Sequence, residues 1–208
     1  MTPIPIDPHR DSTLQYPGIE QVLALMTYYD PDPRHALQVG RLSGLIFDLL
    51  GDIHKMGDND RRLLIFAALL HDIGWSVPSC PHHKASMNLI LGDETIPINS
   101  DDRQIIALVA RYHRKAHPSP MHTAFGLLSP PKKWHVRWLA AILRLADALD
   151  RSHTSIVQTM SASYPDGMIQ ISCSIRANAS PDPENQVIEK KSALLCELAE
   201  RQVKVIWT

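Results

Sequence analysis

Apolar positions recur at helical spacing from Ile19 to about Asp150 and switch to alternation after Ser152. Ile19 to Tyr29 predicts a short apolar helix. Asp32-Pro33 supplies an N-cap followed by proline at the first helical position. The helix it opens runs to about Leu50, with Leu42, Leu45, Ile46 and Leu49 on one face. Asp58 or Asp60 caps the next segment, RRLLIFAALLHDIGW, whose middle is apolar on nearly every side; that pattern predicts the central, buried helix. Further helices are expected from His83 to Leu91, from Asn99 or Ser100 to Arg114, and from Ser129-Pro130 to near Asp150. Pro118 and Pro120 open a loop between the last two.

Beyond Ser152 the period changes to two. Met168 to Ile175 alternates and predicts a half-buried strand, with Ser155 to Ser163 as its partner across the turn Pro165-Asp166-Gly167. Asn185 to Glu200 reads as an amphipathic helix and Gln202 to Trp207 as a third strand. The expected fold class is therefore mainly α, a helical bundle with a small C-terminal α+β appendage. The boundaries are an extended lead over residues 1–17, which holds four prolines, a helical domain over 18–153, and a subdomain over 154–208 packed on it.

Composition adds limits. The 208 residues carry a net charge of −1 and 44% hydrophobic residues, so no global charge argues for nucleic acid or membrane. Apolar runs are too short for a membrane helix, and the first residues do not read as a signal peptide, so a cytoplasmic location is expected. Cys80, Cys173 and Cys196 are isolated, as in a reducing compartment. Charge is uneven: from Arg103 to Ala146 there are eight Lys or Arg and no Asp or Glu. Solvated helix faces and a positive field toward an anionic substrate are both readings of that stretch. Nucleic acid is disfavoured, because Trp134 and Trp138, one helical turn apart, read as core rather than a stacking platform.

The candidate chemistry begins at His71-Asp72. Two ionisable residues at the end of a buried apolar helix are costly unless paired or metal-bound. His35 lies upstream near a helix start. Asp147 lies downstream between Leu145-Ala146 and Ala148-Leu149. Singly, each has a plain account: His35 as a capping or surface histidine, Asp147 as the ion-pair partner of Arg144 or Arg151 on one helix face. Together, in this order, imidazoles and carboxylates suit a divalent ion: Mn²⁺, Fe²⁺, Co²⁺, Ni²⁺ or Zn²⁺, with Mg²⁺ a further option.

At these residues the chain resembles the HD superfamily of metal-dependent phosphohydrolases. The strings HALQVGRLSGLIFDLL, LLIFAALLHDIGW, HHKAS, IALVARYHRK and LAAILRLADALDRSH resemble the C-terminal HD-like domain of exopolyphosphatases and guanosine pentaphosphate phosphohydrolases, over about residues 30 to 205. The two N-terminal actin-like domains in which that family's own catalysis takes place have no counterpart here, so exopolyphosphatase activity is not carried over. The resemblance puts His35, His71, Asp72 and Asp147 at the metal positions for one ion. His83 and His113 fall where some subfamilies hold a second ion, with His82 as the alternative to His83. Ala85 stands where relatives often have another histidine.

The activity this implies is hydrolysis of a phosphate ester or nucleotide-like substrate by metal-activated water, with Asp72, Lys84 and Arg114 as catalytic candidates. Lys84, Arg114, Lys115, Arg144 and Arg151 are the candidates for binding phosphate, and His153 is an extra candidate. His9, His54, His117, His122 and His135 read as surface histidines. The alternative is a non-catalytic module that binds polyphosphate or an alarmone, with a structural metal. A di-iron oxygenase is a third reading, and would need both His83 and His113 as ligands. Partners are then a small phosphorylated substrate or polyphosphate. The apolar C-terminal strand leaves a homodimer open.

Overall fold

The computed structural model describes residues 15–208, so most of the expected N-terminal lead lies outside the described residues. The helices are α1 (Ile19–Tyr29), α2 (Pro33–Leu49), α3 (Gly51–His54), α4 (Asp58–Leu69), α5 (His82–Gly92), α6 (Ser100–Arg111), α7 (Thr123–Gly126), α8 (Pro130–Ala148) and α9 (Asp182–Ala199). The strands are β1 (Val157–Ser163), β2 (Ile169–Ile175) and β3 (Val203–Trp207). The mainly helical class with a small C-terminal sheet is as expected.

Local chemistry explains the starts of α2 and α6. Asp32 caps α2, accepting the His35 amide at 3.3 Å, and Pro33 follows at the first position. Asn99 caps α6 through the Asp102 amide at 2.8 Å, with Asp101 and Asp102 in the first turn, where carboxylates suit the helix dipole. The single-turn helices α3 and α7 have too few residues to show a period, and the sequence pattern gives no sign of them.

Every residue from Leu63 to His71 is buried, so α4 needs neighbours on all sides. It has them in α1, α2, α6 and α8, and α8 also packs on α2 and on α6. This arrangement puts the end of α4, the start of α2 and the ends of α6 and α8 around one point.

The sheet has the order β1-β2-β3. The β1–β2 hairpin is antiparallel and pairs Met160 with Cys173, while β3 lies parallel to β2 and pairs Val205 with Ile171. A parallel neighbour requires a crossover, and α9 provides it. The outer edge of β3, which the sequence left open to a second chain, has no strand partner among the described residues.

The appendage is stitched to the bundle. α9 packs along α8. From α2, Gln38 Nε2 donates to the Val157 carbonyl at 3.0 Å and Arg41 Nη1 to that of Gln158 at 3.0 Å. Glu184, wholly buried at the start of α9, accepts the Ser152 amide at 2.9 Å.

His54 corrects one expectation: it is buried, not on the surface, at 1% exposure. A carbonyl only accepts, so Nε2 donates to the Phe47 carbonyl at 2.8 Å, leaving Nδ1 to accept the Met56 amide at 3.0 Å. Burial holds its pKa below the usual histidine range. As pH falls below about 6.5, the unfolded chain therefore takes up a proton that folded His54 resists, and stability falls. Urea unfolding at pH 7.5 and 5.5 should show wild type losing more stability on acidification than His54→Gln, by up to about 1 kcal/mol. Equal losses would contradict this assignment. Trp134 is a second correction: Trp138 is buried, as expected of core, but Trp134 is 40% exposed.

Candidate metal and phosphate site

Three segments end at this point, and each brings a histidine whose ring is fixed from behind. His35, in the first turn of α2, has Nδ1 2.8 Å from Asp150 Oδ2. His71, in the turn after α4, has Nδ1 2.7 Å from the Ala68 carbonyl. His113, just beyond α6, has Nδ1 2.7 Å from the Ala110 carbonyl. Since a carbonyl only accepts, His71 and His113 carry hydrogen on Nδ1, and in the neutral ring Nε2 presents a lone pair. This is how proteins hold imidazoles as metal ligands.

Those free nitrogens face carboxylates. Asp147 Oδ1 lies 3.5 Å from His35 Nε2 and 3.9 Å from His71 Nε2. Asp72 Oδ1 lies 3.3 Å from His82 Nε2 and 3.5 Å from His113 Nε2, and its Oδ2 lies 3.5 Å from His71 Nε2. Two sets result, each with ligand atoms within 4.8 Å of one another: His35, His71 and Asp147, and Asp72, His82 and His113. Asp72 stands between them. His35 Nε2, His71 Nε2 and Asp72 Oδ1 are buried without a hydrogen-bond partner. Buried polar atoms left unpaired are costly, and three aimed at one region mark a place for a cation. The donor atoms fit a divalent first-row ion.

The electrostatics agree with that fit. Burial pushes the Asp147 carboxyl up, but the Lys191 ammonium and His35 outweigh it and hold it well below the usual carboxylate range. Burial lowers His35, but Asp147 and Asp150 outweigh it and raise its pKa to about 10. The pocket thus draws positive charge, as a proton when no metal is present. Burial pushes His113 down to about 3, which keeps its ring neutral.

Beside the second set opens a cleft of about 350 Å³, walled by Trp75, Pro78, His82, His83, Arg114 and Lys115 among others. Trp75 is more than half exposed and stacks on the His82 ring at 4.0 Å. Arg114 Nη1 lies 3.2 Å from His82 Nε2.

The remaining expected residues sort differently. His82, not His83, joins His113 and Asp72; His83 is buried beside them in the cleft wall. Adjacent helical residues point about 100° apart, so only one of the two can face the cluster. Lys84 is exposed and lines a different cleft, with Arg111, Tyr112 and His122, so it is displaced from the place expected of a catalytic residue. Arg144 is buried and spent on backbone, donating to the Tyr112 carbonyl at 2.9 Å and that of Lys115 at 3.3 Å; it shapes the turn carrying Arg114 and Lys115 and is not offered to a phosphate. Arg151 is exposed just past α8. His153 stacks on His35 at 3.7 Å. Three of the eight cations of the acid-free stretch meet acids from elsewhere: Arg103 lies 3.9 Å from Asp93, Lys132 pairs with Asp101 at 2.7 Å, and Arg137 with Glu197. Arg114 and Lys115 are the members of that stretch that line the cleft beside the cluster.

Two residues of the site escape the sequence reading. Asp150 follows Leu149 in the same apolar run as Asp147 and carried the same signal of a carboxylate in need of a partner. Lys191 lies in α9 and pairs with Asp147, where Arg144 or Arg151 had been the local candidates; a contact spanning 44 positions leaves no local trace.

A family model described as Ppx/GppA phosphatase, domain III, matches residues 19–181, from the start of α1 to the residue before α9.

Proposed function

This chain belongs to the Ppx/GppA phosphatase domain III family, and on that premise we propose that it is an HD-type, metal-dependent phosphohydrolase acting on a phosphate ester or nucleotide-like substrate. The observation that carries the reading is the set of imidazole nitrogens fixed from behind and turned, with Asp72 and Asp147, onto one region where three buried polar atoms lack partners.

His35, His71, Asp147 and Asp72 would hold the first ion, and Asp72, His82 and His113 a second. When bound, such an ion lowers the pKa of a coordinated water and draws charge from a phosphoryl oxygen. Asp72, within 3.5 Å of imidazoles from both sets, would be the residue to accept a proton from a bound water. Arg114 and Lys115, in the cleft wall beside His82, neutralise the other phosphoryl oxygens. Trp75 lines the same cleft and stacks on the His82 ring, which helps to hold that ring in place.

A second reading is a polyphosphate- or alarmone-binding module. It is favoured by the cation already present at Asp147, the Lys191 ammonium, which balances that carboxylate's charge without turnover. Phosphate release from a panel of nucleotides and simple phosphate esters, by protein loaded with Mn²⁺, Fe²⁺, Co²⁺, Ni²⁺ or Zn²⁺, separates the two. The hydrolase reading predicts turnover with at least one ion that chelation abolishes. Binding of tripolyphosphate without turnover of any substrate would favour the module.

A further inference from the structure

We propose that Lys191 is a positioning residue of the metal site, so that the C-terminal appendage takes part in forming it; this rests on the reading of His35, His71 and Asp147 as ligands.

Asp147 has two oxygens and a site that needs one of them placed. Its Oδ1 faces His35 Nε2 and His71 Nε2, while Oδ2 is held by the Lys191 ammonium. The same ammonium donates to the His113 carbonyl at 3.1 Å. One side chain from α9 thus fixes a carboxylate of the first set and the backbone that carries an imidazole of the second. Without it, the Asp147 side chain, flanked in sequence by Ala146 and Ala148, would be free to turn either oxygen, or both, toward the ion. Lys191 is only 17% exposed, and α9 is seated along α8, where Asp147 lies, which limits where its ammonium can go. Charge points the same way: Asp72, Asp147 and Asp150 crowd the site, and a fixed cation behind Asp147 steadies the cluster without occupying the face turned to the imidazoles. α9 lies beyond the residues matched by the family, so this contribution is separate from what that match covers.

The test titrates Co²⁺ into metal-free wild type, Lys191→Met, Lys191→Gln and Lys191→Arg by calorimetry, and records the visible absorption of each Co²⁺ complex. Thermal melts of the metal-free proteins show that each variant is folded. Supporting partners of metal ligands typically change affinity by about 10- to 100-fold when removed. We expect Lys191→Met and Lys191→Gln to lose affinity on that scale and to alter the visible bands, which report the ion's coordination, while their metal-free melts stay close to wild type. Lys191→Arg, which keeps the charge and the donors, should recover most of both. Unchanged affinity and bands in the neutral variants would overturn the inference, and so would tighter binding, which would show the ammonium competing with the ion. If wild type itself takes up no Co²⁺, the reading of the site fails and this inference falls with it.

Discussion

Asp72→Ala should lower the rate of phosphate release by about 10³-fold or more and weaken metal retention by at least about tenfold, while leaving the metal-free protein at least as stable as wild type. Asp72 supplies Oδ1 to the set with His82 and His113, and Oδ2 to the neighbourhood of His71, so its loss thins both sets together. Stability should move the other way because Asp72 Oδ1 is buried without a hydrogen-bond partner. Burial pushes the carboxyl up, but the surrounding histidines, His71 first, outweigh it and hold its pKa below the usual range, which offsets part of that cost. Functional groups commonly destabilise the fold that carries them, and removing one often raises the melting temperature. Steady-state kinetics, metal analysis and thermal melting of the metal-free variant check the three parts. A variant that keeps wild-type turnover would remove Asp72 from the chemistry. A variant that simply unfolds would make it a structural residue.

Gly74→Ala should be severely destabilising, by about 3 kcal/mol, or roughly 6–12 °C in Tm for a chain of this size. Gly74 lies in the tight turn directly after Asp72. A Cβ there would sit 2.0 Å from the His82 carbonyl oxygen and 2.4 Å from the Ser86 amide nitrogen. Those are backbone atoms of α5, so relief requires α5 to move away. Ser86 makes that movement costly: its hydroxyl donates to the His71 carbonyl at 2.7 Å and accepts the Gly74 amide at 2.9 Å. Because His82 begins α5, the same displacement should pull it off Asp72 and lower metal affinity in whatever protein remains folded. Gly51→Ala is the control, since nothing lies within 4 Å of the added carbon. Thermal melts of the two variants decide the matter; a Gly74→Ala protein as stable as Gly51→Ala would mean that α5 is not seated against this turn.

These two variants also show what the sequence could and could not reveal. The helical bundle, the hairpin and the third strand were readable because amphipathic period and turn chemistry are local signals. His71 and Asp72 stood out for a related reason, as polar residues closing a run with no polar side. Asp147 and His35 were found only by taking the four together. The pairing of His82 with His113 turns on which of two adjacent residues faces inward, and a helical start shifted by one position exchanges them; the period does not fix that. Arg144 serves the Tyr112 and Lys115 carbonyls, and in sequence a buried arginine of that kind is indistinguishable from one that serves a phosphate. Lys191 was out of reach, since its contact with Asp147 depends on how α9 returns across α8.

The central claim is that this cluster holds metal. Metal content of the full chain, purified without a metal-affinity tag and measured by plasma mass spectrometry beside Asp72→Ala, tests it most directly. The account predicts about one or two transition-metal ions per wild-type chain, substantially depleted in the variant. Wild-type protein that remains metal-free even after incubation with Mn²⁺, Fe²⁺ and Ni²⁺ would contradict it, and the polyanion-binding module would be the better account.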